Sequence, residues 1–180
     1  DSLLDTYTAE RHPVGARVLR NAMVQVALGK PDDRHQALRD AMGELLEMDE
    51  PRRHVAAMLS GLDVHYELGG GHPLLGRRMP DLDLDTAEGR IRVFGLLHEA
   101  RPVLLNLVGS GDVDLGAWAD RVTVVAATHN GAWELPVIGE VPAPAAVLIR
   151  PDGYVAWAGD VGQDDLPAAL TAWFGAATDR

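Results

Sequence analysis

The sequence predicts an α/β protein: a helical segment over residues 1–62, an extended stretch over 63–90, and a small α/β domain over 91–180. Three observations carry this reading. Apolar residues recur at intervals of three and four through the first 62 positions, the spacing of a helix face. Val103 to Val108 is a nearly continuous apolar run, as in a strand covered on both faces. Finally, Arg150-Pro151-Asp152-Gly153 separates two short apolar segments, the pattern of a β-hairpin.

Taken in order, Ser2 with Asp5 resembles a capping box before Leu3, Leu4 and Tyr7. Pro13 should kink this helix or start a new one, after which Val14, Val18, Leu19, Met23 and Val26 continue the stripe. Gly29-Lys30-Pro31 is a stop. Asp32 or Asp33 can cap a second helix with Leu38, Met42, Leu45 and Leu46 on its inner face. Pro51 opens a third, carrying Val55, Met58, Leu59 and Leu62, with Gly61 near its end.

Beyond it, Val64, Tyr66 and Leu68 alternate with Asp63, His65 and Glu67, a strand-like period of two. Gly69-Gly70-Gly71-His72-Pro73 breaks the chain, and Met79 to Leu84 is extended, so this stretch reads as the linker. Ile91-Arg92-Val93 is a short strand and Phe94 to Glu99 a short helix. Asp114 to Ala119 can be helical, and Val122 to Ala126 reads as a second buried strand. Ala145 to Ile149 and Tyr154 to Trp157 form the hairpin, and Asp164 or Asp165 caps a closing helix with Leu166, Leu170, Trp173 and Phe174.

Two parallel-type strands, a hairpin and a closing helix follow the order of a thioredoxin-like domain. The segment Val141 to Gly153 is similar to the thioredoxin pattern in which a proline, often cis, precedes the first hairpin strand. Pro144 is the matching residue, and a trans proline entering an edge strand is the alternative.

Composition removes whole classes of function. A chain of 180 residues that is 47% hydrophobic and 24% charged has the apolar content to bury a core. Its net charge of −11 and single lysine, Lys30, argue against a nucleic-acid partner, which needs clustered basic residues. No apolar run approaches the ~20 residues that cross a bilayer. The first residues have neither a basic region nor an apolar signal core, so a cytoplasmic location is expected. With no cysteine, disulfides, thiolate nucleophiles, iron–sulfur clusters and cysteine-based zinc sites are excluded.

The remaining site candidates are weak. The place of the redox cysteine in thioredoxin-like proteins, after the first buried strand, is taken here by Gly109-Ser110-Gly111-Asp112. Ser110 needs a general base, and no histidine lies nearby in sequence, so the thiol-redox reading fails. Asp63, His65 and Glu67, with His72, offer ligand chemistry for a divalent metal, but a solvated alternating face gives the same pattern and is preferred. Gly69-Gly70-Gly71 neither follows a buried strand nor opens a helix, unlike a phosphate loop. Glu10, Arg11 and His12 read as a surface ion-pair cluster. Trp118, Trp133, Trp157 and Trp173 read as core or interface residues. No catalytic, cofactor-binding or metal-ligating residue is therefore assigned to this chain.

Four stretches carry a resemblance. Leu3 to Val14 resembles the segment that closes the FAD-binding domain of p-hydroxybenzoate-hydroxylase-like flavoprotein monooxygenases. His72 to Asp81, Trp118 to Val122 and Pro142 to Trp157 are similar to the carboxyl-terminal domain of the subgroup that hydroxylates aromatic polyketides. The resemblance implies a cysteine-free thioredoxin-like tail on an FAD- and NAD(P)H-dependent monooxygenase of antibiotic biosynthesis. It also implies that Tyr7, Glu10, Arg11 and Pro13 belong to a helix packing on the FAD domain. The glycine motif and the later Gly-Asp motif that contact FAD lie upstream of the matching region. This chain is accordingly expected to be non-catalytic alone. Its expected partners are the FAD and substrate domains, in the same or a separate chain, with a homo-oligomer through the amino-terminal helices also expected. An autonomous thioredoxin-like interaction or dimerisation module is the alternative.

Overall fold

The computed structural model describes residues 2–108, 113–160 and 165–177, with side chains from residue 4 onward. The chain divides into two compact units, Asp1–Val64 and His65–Arg180.

The first unit is helical: α1 spans Ser2–Leu28, α2 Asp33–Leu46 and α3 Asp49–Ser60. Asp32 caps α2 from an extended backbone (φ −129°, ψ 162°), one carboxylate oxygen accepting the His35 N–H at 3.0 Å. Arg39 donates to the carbonyls of Leu28 and Lys30, which ties α2 to the end of α1. Gly61, at φ +73°, ends α3 in the left-handed conformation. The expected Ser2–Asp5 capping box involves a Ser2 side chain outside the described ones.

Two expectations for this unit are corrected. Pro13 neither kinks nor restarts the helix: α1 runs through it without a break. The missing proline N–H leaves one carbonyl, that of Ala9, without its helical donor, and both residues are exposed, so water can supply the bond. The apolar stripe expected on the inner face of α2 is only half-buried, at Met42 and Leu46, as is that of α3 at Val55 and Met58. Leu38, Leu45, Leu59 and Leu62 are exposed, and among the described residues of the unit only Ala57 and Val64 are buried.

The second unit is built on a four-stranded sheet. Its strands are β3 (Val103–Asn106), β4 (Thr123–Ala126), β7 (Ala146–Ile149) and β8 (Val155–Gly159), in the order β4-β3-β7-β8. β3 pairs parallel with β4 and antiparallel with β7, and β7 pairs antiparallel with β8. Two small hairpins flank it, β1 (Asp83–Thr86) with β2 (Gly89–Arg92), and β5 (Trp133–Leu135) with β6 (Gly139–Val141). The helix α4, Asp165–Phe174, closes the chain. Numbering the main strands by appearance gives the order 2-1-3-4, with the last two antiparallel, which is the thioredoxin-like arrangement.

The period-two alternation of β3 and β7 sorts their side chains onto two cores. Val103, Leu105, Val147 and Ile149 join Leu74, Met79, Leu84 and Trp133 on one face. Leu104, Ala146 and Leu148 join Leu115, Trp157, Leu166 and Leu170 on the other. All four residues of β3 are buried, but the strand expected over Val103–Val108 ends at Asn106 and Val108 is exposed. The β7–β8 turn closes through Arg150 N–H to Tyr154 O at 2.8 Å, with Gly153 at φ +83°.

Several local expectations change. Val122 to Ala126 is not a buried strand; β4 is an edge with only Val125 half-buried. An edge strand has one neighbour rather than two, which its sequence alone does not disclose. The expected Phe94–Glu99 and Asp114–Ala119 helices reduce to 3₁₀ turns at Val93–Leu97 and Gly116–Trp118. Residues 65–90, read as linker, contribute buried Tyr66, Leu74, Met79 and Leu84 to the second unit. Asp164, the alternative cap of α4, lies outside the described residues.

Candidate functional site

The position that carries the redox thiol in thioredoxin-like domains follows β3. Here Asn106 ends the strand, buried, its side-chain oxygen accepting the Val108 N–H at 3.3 Å. Ser110 lies outside the described residues. Pro144 is buried beside this end of the sheet, where Leu107 N–H donates to Ala145 O at 2.8 Å. The peptide preceding Pro144 is trans, and β7 is an interior strand, so neither the cis reading nor the edge-strand alternative holds. Trans is the lower-energy isomer, and a residue outside the ladder has no strand bond to lose with its N–H.

A strap over residues 65–79 bonds the start of β8 at Val155 and the turn before it. Gly76 N–H donates to Val155 O, Val155 N–H to Arg77 O and Met79 N–H to Gly153 O, each at 2.9 Å. Beside the strap, the Tyr66 and Tyr154 rings meet at 4.6 Å. The Arg150 guanidinium lies 5.6 Å from the Tyr66 ring and 4.2 Å from the Trp173 ring, and pairs with Asp152 at 2.7 Å. This cluster was not singled out in sequence; its residues are spread from 66 to 173, and no local spacing links them. It is packing chemistry, with no nucleophile beside a base.

Burial, and then the neighbouring Tyr66, push the Tyr154 phenol above its ordinary 10.0. The neutral phenol is the folded form, so its contribution is fully present below that value and lost as pH rises through the raised one. Urea midpoints should therefore fall above about pH 10, and the fall should shrink in Tyr154→Phe.

Of the metal candidates, only His65 and Glu67 approach each other, at 3.5 Å. Among the described residues no group of three histidines or carboxylates could hold an ion. Asp63 is paired with Arg17 at 2.8 Å, His65 Nε2 meets Leu75 O at 3.1 Å, and His72 Nε2 meets Pro142 O at 3.0 Å. Glu10, Arg11 and His12 lie within α1. Trp133 and Trp157 are core residues, and Trp118 and Trp173 pack partly buried against the second core.

The described residues do not fit a flavin dinucleotide. Gly69-Gly70-Gly71 opens no helix. A cleft of about 430 Å³ at the start of α2 is lined by Asp32, Asp33, Arg34 and His35, and its two carboxylates oppose a pyrophosphate. No helix among the described residues is long and apolar enough to cross a membrane.

What the first unit does offer is an apolar surface. Along α1, Leu4, Tyr7, Val18, Leu19, Met23 and Val26 are each at least 58% exposed. Isolated exposed apolar residues are ordinary, and six along one helix expose more apolar area than scattered residues do.

The fold and the cysteine-free sequence define a thioredoxin-like domain without thiol-redox chemistry, preceded by a helical segment. Residues 72–177 match the family model described as aromatic-ring hydroxylase, C-terminal, and the chain belongs to that family. A 12-dehydrotetracycline 5-monooxygenase/anhydrotetracycline 6-monooxygenase from Streptomyces rimosus is 46% identical over 177 residues, covering 96% of this chain and 34% of the relative. The crystal structure of CabE, an aromatic hydroxylase from angucycline biosynthesis, superposes with a TM-score of 0.84 at 46% identity, covering 98% of this chain and 36% of that one. The rebeccamycin biosynthetic enzyme RebC, solved with reduced flavin, is 27% identical with a TM-score of 0.59, covering 98% and 37%. The chain thus spans about a third of the proteins it matches and corresponds to their carboxyl-terminal part.

Proposed function

We propose that this chain is the carboxyl-terminal portion of a cytoplasmic, FAD- and NAD(P)H-dependent monooxygenase that hydroxylates an aromatic polyketide. Its own part is structural: it has no independent catalysis, and α1 docks on the FAD-binding portion. The observation that carries this reading is the mismatch between apolar surface and core in the first unit. Helices totalling 53 residues (27 + 14 + 12) bury only Ala57 among their described side chains. Helices in water are stabilised mainly by packing an apolar face, so this unit calls for a partner surface.

The second reading, an autonomous interaction module, is favoured by the second unit's two cores, each closed by its own elements. One experiment separates the two. The chain is co-expressed with the amino-terminal two-thirds of the Streptomyces rimosus relative, whose own carboxyl-terminal third serves as the positive control. Docking predicts co-purification in equal amounts; an autonomous module predicts that the two separate while the control assembles.

A further inference from the structure

The chain has three asparagines, Asn21, Asn106 and Asn130, in unlike settings. Asn21 lies inside α1, and Asn106 is buried at the end of β3. Asn130 is exposed, and it alone is followed by glycine. An asparagine before a glycine is open to one reaction above others. The next backbone nitrogen attacks the side-chain amide, ammonia leaves and a cyclic imide forms. A bonded nitrogen or a fixed backbone holds this back. Neither restraint is present at Asn130, Gly131 and Ala132, which are exposed and outside any helix or strand. Among the described residues no backbone bond reaches them.

The segment is loose within a fixed frame. On one side Thr128 exchanges both backbone bonds with Asp85, at 2.9 Å each. On the other, Trp133 opens β5 and is buried. The frame also supplies a base. His129 Nδ1 donates to Asp83 O at 2.8 Å, and a carbonyl can only accept, so a neutral ring carries its proton there and leaves Nε2 as an acceptor. That nitrogen is buried and has no partner. It lies against Gly131, where a Cβ would stand 2.7 Å from it. The Trp133 ring meets the imidazole in a T-shaped contact at 6.0 Å. Only glycine at 131 admits the ring and leaves its own nitrogen unhindered.

We propose that Asn130-Gly131 is a self-modification site with His129 as its general base. Turning the unbonded Gly131 peptide brings its N–H to Nε2. His129 takes that proton as the nitrogen closes on Asn130 Cγ, and returns it to the departing amide, which leaves as ammonia. Water then opens the imide to aspartate or isoaspartate. The reaction needs no oxidant, cofactor or second protein. Its product adds a carboxylate to a chain of net charge −11, on the segment bonded to Asp83 and Asp85. The isoaspartate form also inserts a main-chain carbon between the Thr128 rung and β5.

Tandem mass spectrometry reads this on the 180-residue chain after storage at neutral pH and body temperature. The tryptic fragment beginning at Val122 contains Asn130 as its only asparagine. Aspartate and isoaspartate should accumulate there, while Asn21 and Asn106 remain amides. The folded chain should react on the order of tenfold faster than the same chain in urea. His129→Phe, checked for folding by tryptophan fluorescence, should lose that advantage. An Asn130 that survives storage, or that reacts no faster folded than in urea, would overturn the proposal, and this comparison needs no variant. So would a folded His129→Phe chain that reacts as fast as the parent.

Discussion

Replacing Gly76 with alanine should unfold the second unit. A Cβ built on Gly76 lies 1.9 Å from the Tyr66 carbonyl oxygen and 3.0 Å from its carbon, and neither can move, because Tyr66 N–H is itself bonded to Gly76 O at 2.9 Å. The residue also sits at φ +71°, a left-handed conformation that costs a side chain ~1 kcal/mol before any clash. Relieving the contact would pull Gly76 away from Val155 at the start of β8. The combined cost should be about 4 kcal/mol or more, at the exceptional end for single substitutions. Urea unfolding followed by tryptophan fluorescence measures it, since Trp133 and Trp157 are buried in this unit. Gly70→Ala is the control: its Cβ meets nothing within 4 Å and its backbone is not left-handed, so the change should stay within ~0.5 kcal/mol.

The second large effect concerns docking. Leu19 and Met23 are 65% and 71% exposed on α1, so Leu19→Asp with Met23→Asp should leave the helical unit folded. Burying an apolar side chain of this size is worth ~1.5–3 kcal/mol, and both would be lost on association. Assembly with the amino-terminal portion should then weaken by a factor of roughly 100 or more. Co-purification of the variant as complete as that of the parent chain would place the docking surface elsewhere.

Much of the second unit was legible in sequence because its signals are local. Leu104 and Leu105 are apolar in succession only because β3 is covered on both faces. The Arg150–Gly153 turn announces its hairpin, and the absence of cysteine settles the redox question without any structure. What was not legible depends on distant partners. β1, β5 and β6 are three or four residues long, too short for a period, and each is held by a neighbour rather than by its own propensity. Val122 to Ala126 has the apolar composition of an interior strand, and only topology puts it at an edge. Pro13 signals a break that an exposed helix can avoid. Gly76 looks like any loop glycine until the Tyr66 carbonyl is placed beside it.

On spacing alone α1 carries an apolar stripe with no assigned cover. Under the proposed function that stripe is a surface for the rest of the enzyme.

Under the proposed function the flavin machinery lies outside this chain, which a flavin-retention assay tests. The purified 180-residue chain is incubated with excess FAD, passed through gel filtration, and its visible flavin absorbance is compared with its protein absorbance. We expect no flavin to elute with the protein, because among the described residues no glycine loop opens a helix to hold the pyrophosphate. Flavin retained in equal amount to the protein would contradict it.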